Sequence, residues 1–218
     1  MQALLSIDQE GGRVTRIRNG ATVFPCANAI RNTGDPENAY LAGRIMGNEL
    51  RALGIYFNLA PVLDTNNDAD NPAVGSRSFG VTAQDTALYG GAYARGLRDA
   101  GIMDCGKHFP GHGDSVIDTH FAASVVQTPA EIVMEKYIKP FKNVIDQGLM
   151  GLMATHICYP SLEPSGVPAS LSPRLMTDIL RRQLRYEGIT ISDGMQMLAI
   201  AGVYGAPRGQ RHGRAGWV

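Results

Sequence analysis

The sequence predicts an α/β fold built on a parallel sheet, and three observations carry that prediction. Short apolar runs begin near residues 4, 55, 102, 149 and 189, each bounded by turn residues. A capped helical segment stands between each neighbouring pair of runs, the alternation expected of parallel strands joined by helical crossovers. Finally, the polar residues Asp8, Asp64, Lys107-His108, His156 and Asp193 all fall at the C-terminal ends of the runs. Closed barrels and open α/β sheets both place their sites there. No Gly-x-Gly-x-x-Gly or phosphate-loop pattern follows any run, which argues against a nucleotide-binding sheet.

Taken in order, Leu4-Leu5-Ser6-Ile7 reads as the first strand and Asp8-Gln9-Glu10-Gly11-Gly12 as the turn at its end. A loop containing Pro25 follows. Asp35-Pro36 opens a helix with Asp at the N-cap and Pro at the first helical position. Leu41, Ile45, Met46, Leu50 and Leu53 should form its buried face, and Gly54 should stop it. Ile55 to Leu59 is the second strand, leading into Ala60-Pro61-Val62-Leu63-Asp64. After a polar loop that carries Arg77, Thr82 and Asp85 form a variant capping box for a helix ending at Gly101.

Ile102 to Cys105 is the third strand, and it feeds the stretch that organises the chain, Lys107 to Phe121. That stretch holds three of the five histidines. Each buried polar group left unsatisfied costs about 1–3 kcal/mol, so such density predicts a wet, concave loop at a strand end. Helix capping would explain its aspartates but not Lys107-His108, His112 and His120 together. Thr128-Pro129-Ala130-Glu131 is a full capping box for the next helix, with Pro at its first position and Gly148 at its end. Leu149 to Thr155 is the fourth strand. Ser172-Pro173 opens a helix that Gly188 should close, and Ile189 to Ser192 is the last strand.

Composition narrows the function. At 218 residues, 44% of them hydrophobic, the chain can bury one substantial core. Zero formal net charge offers nothing to nucleic acid or a membrane surface. No apolar run reaches the roughly 20 residues of a spanning helix, and no signal peptide opens the sequence. Cys26, Cys105 and Cys158 are odd in number and widely spaced, which fits a reducing compartment. Residues 1–205 form the expected domain. Residues 206–218, with arginines at 208, 211 and 214 and no acidic residue, read as a disordered or aberrant tail.

Among the candidate site residues, Asp118-Thr119-His120 is the sharpest local pair. A carboxylate two residues from an imidazole can accept from Nδ1–H, fix the tautomer and leave Nε2 facing a substrate. Asp193 at the tip of the last strand reads either as a nucleophile or as the N-cap of a helix over Met195 to Ile200. Asp8, Arg16, Arg77, Lys107 and His108 suit a neutral, hydroxyl-rich ligand, because carboxylates and cations offer fixed acceptors and donors to paired hydroxyls. Surface ion pairing is the plainer account of each arginine. A metal site over His108, His112, Asp114, Asp118 and His120 has the ligand types but no recognised spacing, so neither metal nor other cofactor is expected.

Together these motifs resemble glycoside hydrolase family 3, and within it the bacterial β-N-acetylhexosaminidases. The resemblance rests on Ile7-Asp8-Gln9-Glu10-Gly11-Gly12-Arg13-Val14, Asn58-Leu59-Ala60-Pro61-Val62-Leu63-Asp64, Arg77-Ser78-Phe79-Gly80, Lys107-His108-Phe109-Pro110-Gly111-His112-Gly113 with Asp118-Thr119-His120, and Ser192-Asp193. It implies an incomplete (β/α)8 TIM-type barrel of about five βα units. It also implies retaining hydrolysis of terminal β-linked N-acetylglucosamine, with Asp193 as nucleophile, His120 as acid/base and Asp118 as its partner. Asp8, Arg16, Arg77, Lys107 and His108 would bind the sugar, and no metal would take part.

The implied partner is a small carbohydrate, an N-acetylglucosamine-containing muropeptide met in the cytoplasm during cell-wall recycling, with no protein partner. The sequence departs from the family pattern in two ways. Strand–helix units expected before Ile7 and after Asp193 are missing, and five strands do not close a barrel of eight, so the chain alone should be poorly stable and inactive. The rival reading is therefore a non-catalytic remnant of such an enzyme. Gly194, where the family often has a side chain, should loosen the turn after Asp193.

Overall fold

The computed structural model describes residues 4–66, 73–113, 115, 124–197 and 200–202. Five strands occur among them, β1 (Ser6–Ile7), β2 (Phe57–Asn58), β3 (Cys105–Phe109), β4 (Gly151–Ala154) and β5 (Ile189–Ser192). β1 pairs with β2, β3 with β4 and β4 with β5, all parallel. Single bridges join β2 to β3: Asn58 N–H donates to the Met103 carbonyl, Cys105 N–H to Ala60 and Leu63 N–H to Lys107. The strands therefore lie side by side in chain order, as successive units of a (β/α)8 barrel do. The expected α/β architecture is the one found, with about five strand–helix units of parallel sheet.

Side chains separate by parity. Phe57, Cys105 and Met153 bury against one another, with Leu59, Met103 and Ile191 beside them, on the concave face of the sheet. On β4, Leu152 and Ala154 alternate with Met153 and face the other way, under the helices. That alternation is the period of two that a strand imposes.

Most helices begin as the sequence predicts, but they do not all pack or end so. Asp35 caps α2 (Pro36–Ala52) by accepting from Glu37 N–H at 3.0 Å, and Thr82 caps α3 (Ala83–Asp99) by accepting from Asp85 N–H at 3.0 Å. A short helix, α1 (Ala27–Arg31), occupies what reads as loop. The buried face of α2 is not the expected leucine stripe: Leu41, Ile45 and Leu53 are 43–57% exposed, while Ala39, Ala42, Gly43, Met46, Gly47 and Leu50 are buried. Small residues win that face because α3 lies against it backbone to backbone. A Cβ on Gly43 would stand 2.2 Å from the Tyr93 carbonyl oxygen, and one on Gly96 2.2 Å from that of Tyr40.

The next helix runs as α4 (Ala130–Ile132), a π-helical segment (Val133–Ile138) and α5 (Lys139–Ile145), with Pro129 at the N-cap rather than the first helical position. A second π-helical segment, Arg174–Gln183, starts where Ser172 Oγ accepts from Leu175 N–H. Gly188 does not close it. The left-handed residue is Arg185, at φ 57°. Gly188 is small for another reason, since a Cβ there would meet the Met150 carbonyl and the Tyr186 hydroxyl within 2.5 Å.

The largest correction concerns β3. Lys107 and His108 lie inside the strand, not in a loop after it. Both are buried, as is His112, so the expected wet loop is dry and fully packed where it is described. The ladder slips between Lys107 and Phe109, a bulge that lets consecutive residues both turn toward the strand ends.

Candidate active site at the C-terminal ends of the strands

The turn after β1 is built by its own polar side chains. Asn58 of β2 accepts from Gln9 N–H at 3.1 Å and donates to the Gln9 carbonyl at 2.8 Å. The Gln9 side chain then accepts from Arg16 and Ile17 N–H, pulling residues 16 and 17 back toward the strand. Gly11 and Gly12, at φ 98° and 58°, permit the reversal in between.

Held this way, Asp8 and Glu10 meet a buried lysine. Lys107 Nζ stands 2.6 Å from Asp8 Oδ1 and 2.6 Å from Glu10 Oε1. Arg77 clamps the same Glu10 through Nε at 2.8 Å and Nη2 at 2.7 Å, a bidentate pair. Burial alone would raise the Glu10 carboxyl, but Lys107 and Arg77 outweigh it and hold it at about 2. Burial would likewise discharge Lys107, and Glu10 with Asp8 reverse that, so its pKa lies above the ordinary value. Arg16 is peripheral: its guanidinium is 4.0 Å from Asp8 and its side chain 61% exposed.

A second cluster forms around Asp64, which is completely buried. Its carboxylate pairs with His108 Nδ1 at 2.7 Å and accepts from His108 N–H and, at 2.7 Å, from His112 N–H. Burial pushes that carboxyl up, and the two histidines bring it down to about 2. The imidazole of His112 lies edge-on to His108 with ring centres 5.0 Å apart. Burial holds it near a pKa of about 4, against the opposing pull of Asp64, and its Nδ1 has no hydrogen-bond partner among the described residues.

Asp193 follows β5, with its N–H donated to the Ala154 carbonyl at 2.9 Å. Burial opposes its charge, yet His108, the Gly194 N–H, His156 and Lys107 lower its pKa below the ordinary value. Among the described residues its carboxylate caps no helix. Its carboxylate accepts from the N–H of the very next residue, Gly194, at 2.7 Å.

The structure thus brings Asp8, Arg77, Lys107, His108 and Asp193 to one end of the sheet, with Arg16 at the rim. Asp118 and His120 lie outside the described residues. Glu10, which joins both cations, was missed by sequence reasoning, although it stands two residues after Asp8 in the same extended turn. Asp64 was legible as a strand-tip residue but not as the partner of His108. Among the described residues, no group of three or more His, Cys, Asp or Glu side chains is placed to hold a metal ion.

Comparison with known proteins identifies the frame around these residues. A model of the glycosyl hydrolase family 3 N-terminal domain matches residues 1–213. A β-hexosaminidase of Pseudomonas aeruginosa is 38% identical over 195 residues, which cover 89% of this chain and 58% of the relative. One from Methylococcus capsulatus is 35% identical over 93% of this chain and 61% of its own length. The structure of a family 3 β-N-acetylglucosaminidase from Paenibacillus superposes with a TM-score of 0.96 at 43% identity, covering 98% of this chain and 40% of that one. The chain spans less than two thirds of the length of each of these relatives. The strand order, the polar ends of the strands and the family match agree: the chain belongs to glycosyl hydrolase family 3, within that family's N-terminal domain.

Proposed function

We propose that this chain carries the catalytic barrel residues of a retaining β-N-acetylglucosaminidase acting on peptidoglycan-derived muropeptides in the cytoplasm. The observation that carries the reading is a neutralised, buried ion cluster, Asp8–Lys107–Glu10–Arg77, on the same sheet end as an ionised Asp193. Fixed donors and acceptors of this kind suit a sugar's adjacent hydroxyls and acetamido group. A half-buried carboxylate kept charged suits a nucleophile.

In this mechanism Asp8, Arg16, Arg77, Lys107 and His108 grip the N-acetylglucosamine unit. Asp193 attacks the anomeric carbon while His120, oriented by Asp118, protonates the departing oxygen. His120 then takes a proton from water, which displaces Asp193 and restores the starting configuration. Most retaining glycosidases use two carboxylates about 5–5.5 Å apart, so a histidine acid is a departure from the usual pair.

Turnover of a chromogenic N-acetyl-β-glucosaminide by the purified chain tests the reading, together with peptide mapping after exposure to a fluorinated mechanism-based sugar. The expected adduct is on Asp193. An adduct on Asp8 or Asp64 would reassign the nucleophile. Sugar binding without turnover would favour a non-catalytic remnant.

A further inference from the structure

The turn after β5 hangs on Gly194, a residue with no side chain to brace it. Glycine is the most pliable backbone unit, so Asp193 could swing with it. Yet Gly194 is held at both ends. Its N–H is taken by the Asp193 carboxylate at 2.7 Å, and its carbonyl accepts from His156 Nε2 at 3.2 Å and from Met197 N–H at 2.9 Å.

His156 is completely buried just beyond β4, and both of its ring nitrogens are engaged. A carbonyl only accepts, so Nε2 must carry the proton. Burial lowers the imidazole pKa against the opposing pull of Asp193, which keeps the ring neutral and Nδ1 bare. Ser170 Oγ–H then donates to Nδ1 at 2.7 Å. Ser170 is itself strapped in place: its own N–H donates to the Thr155 carbonyl at 3.0 Å, and Ala169 N–H to Ile157 at 2.9 Å, one attachment on each side of His156.

We propose that His156 is the positioning residue of Asp193: with Ser170 anchoring the far side of its ring, it clamps the Gly194 carbonyl and holds the turn that presents the Asp193 carboxylate. The inference rests on the reading of Asp193 as nucleophile. A misplacement of about 1 Å at a reacting group costs on the order of 10²-fold in rate, so a clamp on a glycine hinge matters to the chemistry.

The test compares His156→Leu, which has no donor, His156→Gln, which offers one of similar reach, and Ser170→Ala, which leaves the ring but removes its second anchor. In the full chain, the Gly194 amide hydrogen should exchange about tenfold faster in His156→Leu, the effect of losing one net hydrogen bond, and close to the parental rate in His156→Gln. Equal exchange in all variants would overturn the clamp. Nitrogen shifts of labelled histidine should show His156 protonated on Nε2 alone, in the parent and in Ser170→Ala alike, because the Gly194 carbonyl dictates that tautomer. Protonation on Nδ1 alone in the parent would also overturn it.

On a chromogenic N-acetyl-β-glucosaminide, His156→Leu should lower kcat by about 10- to 100-fold while KM stays put, because other residues grip the sugar. A rise in KM with kcat intact would contradict a positioning role. If the parental chain binds the sugar without turning it over, the nucleophile reading fails, and the exchange and nitrogen measurements still decide the clamp.

Discussion

Lys107 keeps its charge where an isolated ammonium would lose it, and the cause is Glu10 as much as Asp8. Removing one member of a buried ion cluster leaves an uncompensated charge, typically worth about 3–5 kcal/mol. Glu10→Gln should therefore cost that much in urea unfolding, and Asp8→Asn clearly less, because the Asp8 side chain is one-third exposed. Equal losses would mean that burial does not set the strength of the cluster. Asp8 was legible because it stands at a strand end, and Lys107 and His108 because they follow an apolar run, although both lie inside β3. Glu10 was not, since its importance arises from Arg77, 67 residues away. The acid/base assignment is tested at this scale too. His120→Ala should cut hydrolysis of poor leaving groups by about 10²–10⁴-fold and spare activated ones. Equal loss on both would remove His120 from that role.

Between elements, the α2–α3 contact reverses the usual rule for helices. Alanine normally improves a helix over glycine by up to about 1 kcal/mol. At Gly43 or Gly96 it should instead destabilise by about 1–3 kcal/mol, because the added methyl meets a backbone carbonyl that cannot step aside. Leu41→Lys, on the exposed side of α2, should stay within about 0.5 kcal/mol. Thermal melts of the three variants check both statements. Arg185 offers the converse case, since it bears a side chain at a left-handed φ and is exposed. Arg185→Gly should be neutral or stabilising by up to about 1 kcal/mol, and a loss would point to an unseen contact. Helix starts were legible because caps are local chemistry. The buried face of α2 and the stop at Arg185 were not, because a hydrophobic stripe read from one helix says nothing of how closely a second backbone approaches.

Across the molecule, buried groups with lowered pKa values make stability depend on pH in a predictable direction. Glu10 and Asp64 have ordinary values of 4.5 and 3.8 and native ones of about 2, so the unfolded chain binds their protons first as pH falls. Their stabilisation is full above about pH 4.5 and is lost down toward pH 2. His112 drops from 6.5 to about 4, so its share is full above pH 6.5 and declines toward pH 4. Melting temperature should therefore hold level above neutrality and fall in two stages on acidification, and His112→Asn should shrink the first, leaving the part that the buried His156 supplies. A melting temperature that stays level from pH 7 to 4 in the parent would contradict this account. The five-strand ladder itself was legible, because alternation and strand-end polarity survive in the sequence. The dryness of the Lys107–His112 stretch was not, since it depends on carboxylates supplied by β1 and β2.

The concave layer of Phe57, Cys105 and Met153 has a consequence for orientation. Cys105 stands two residues before Lys107 on the same strand face, so this layer lies directly beneath the ammonium. A sugar gripped by Lys107, as proposed above, would therefore rest against packed side chains on that side of the sheet, and its leaving group would have to point away from them.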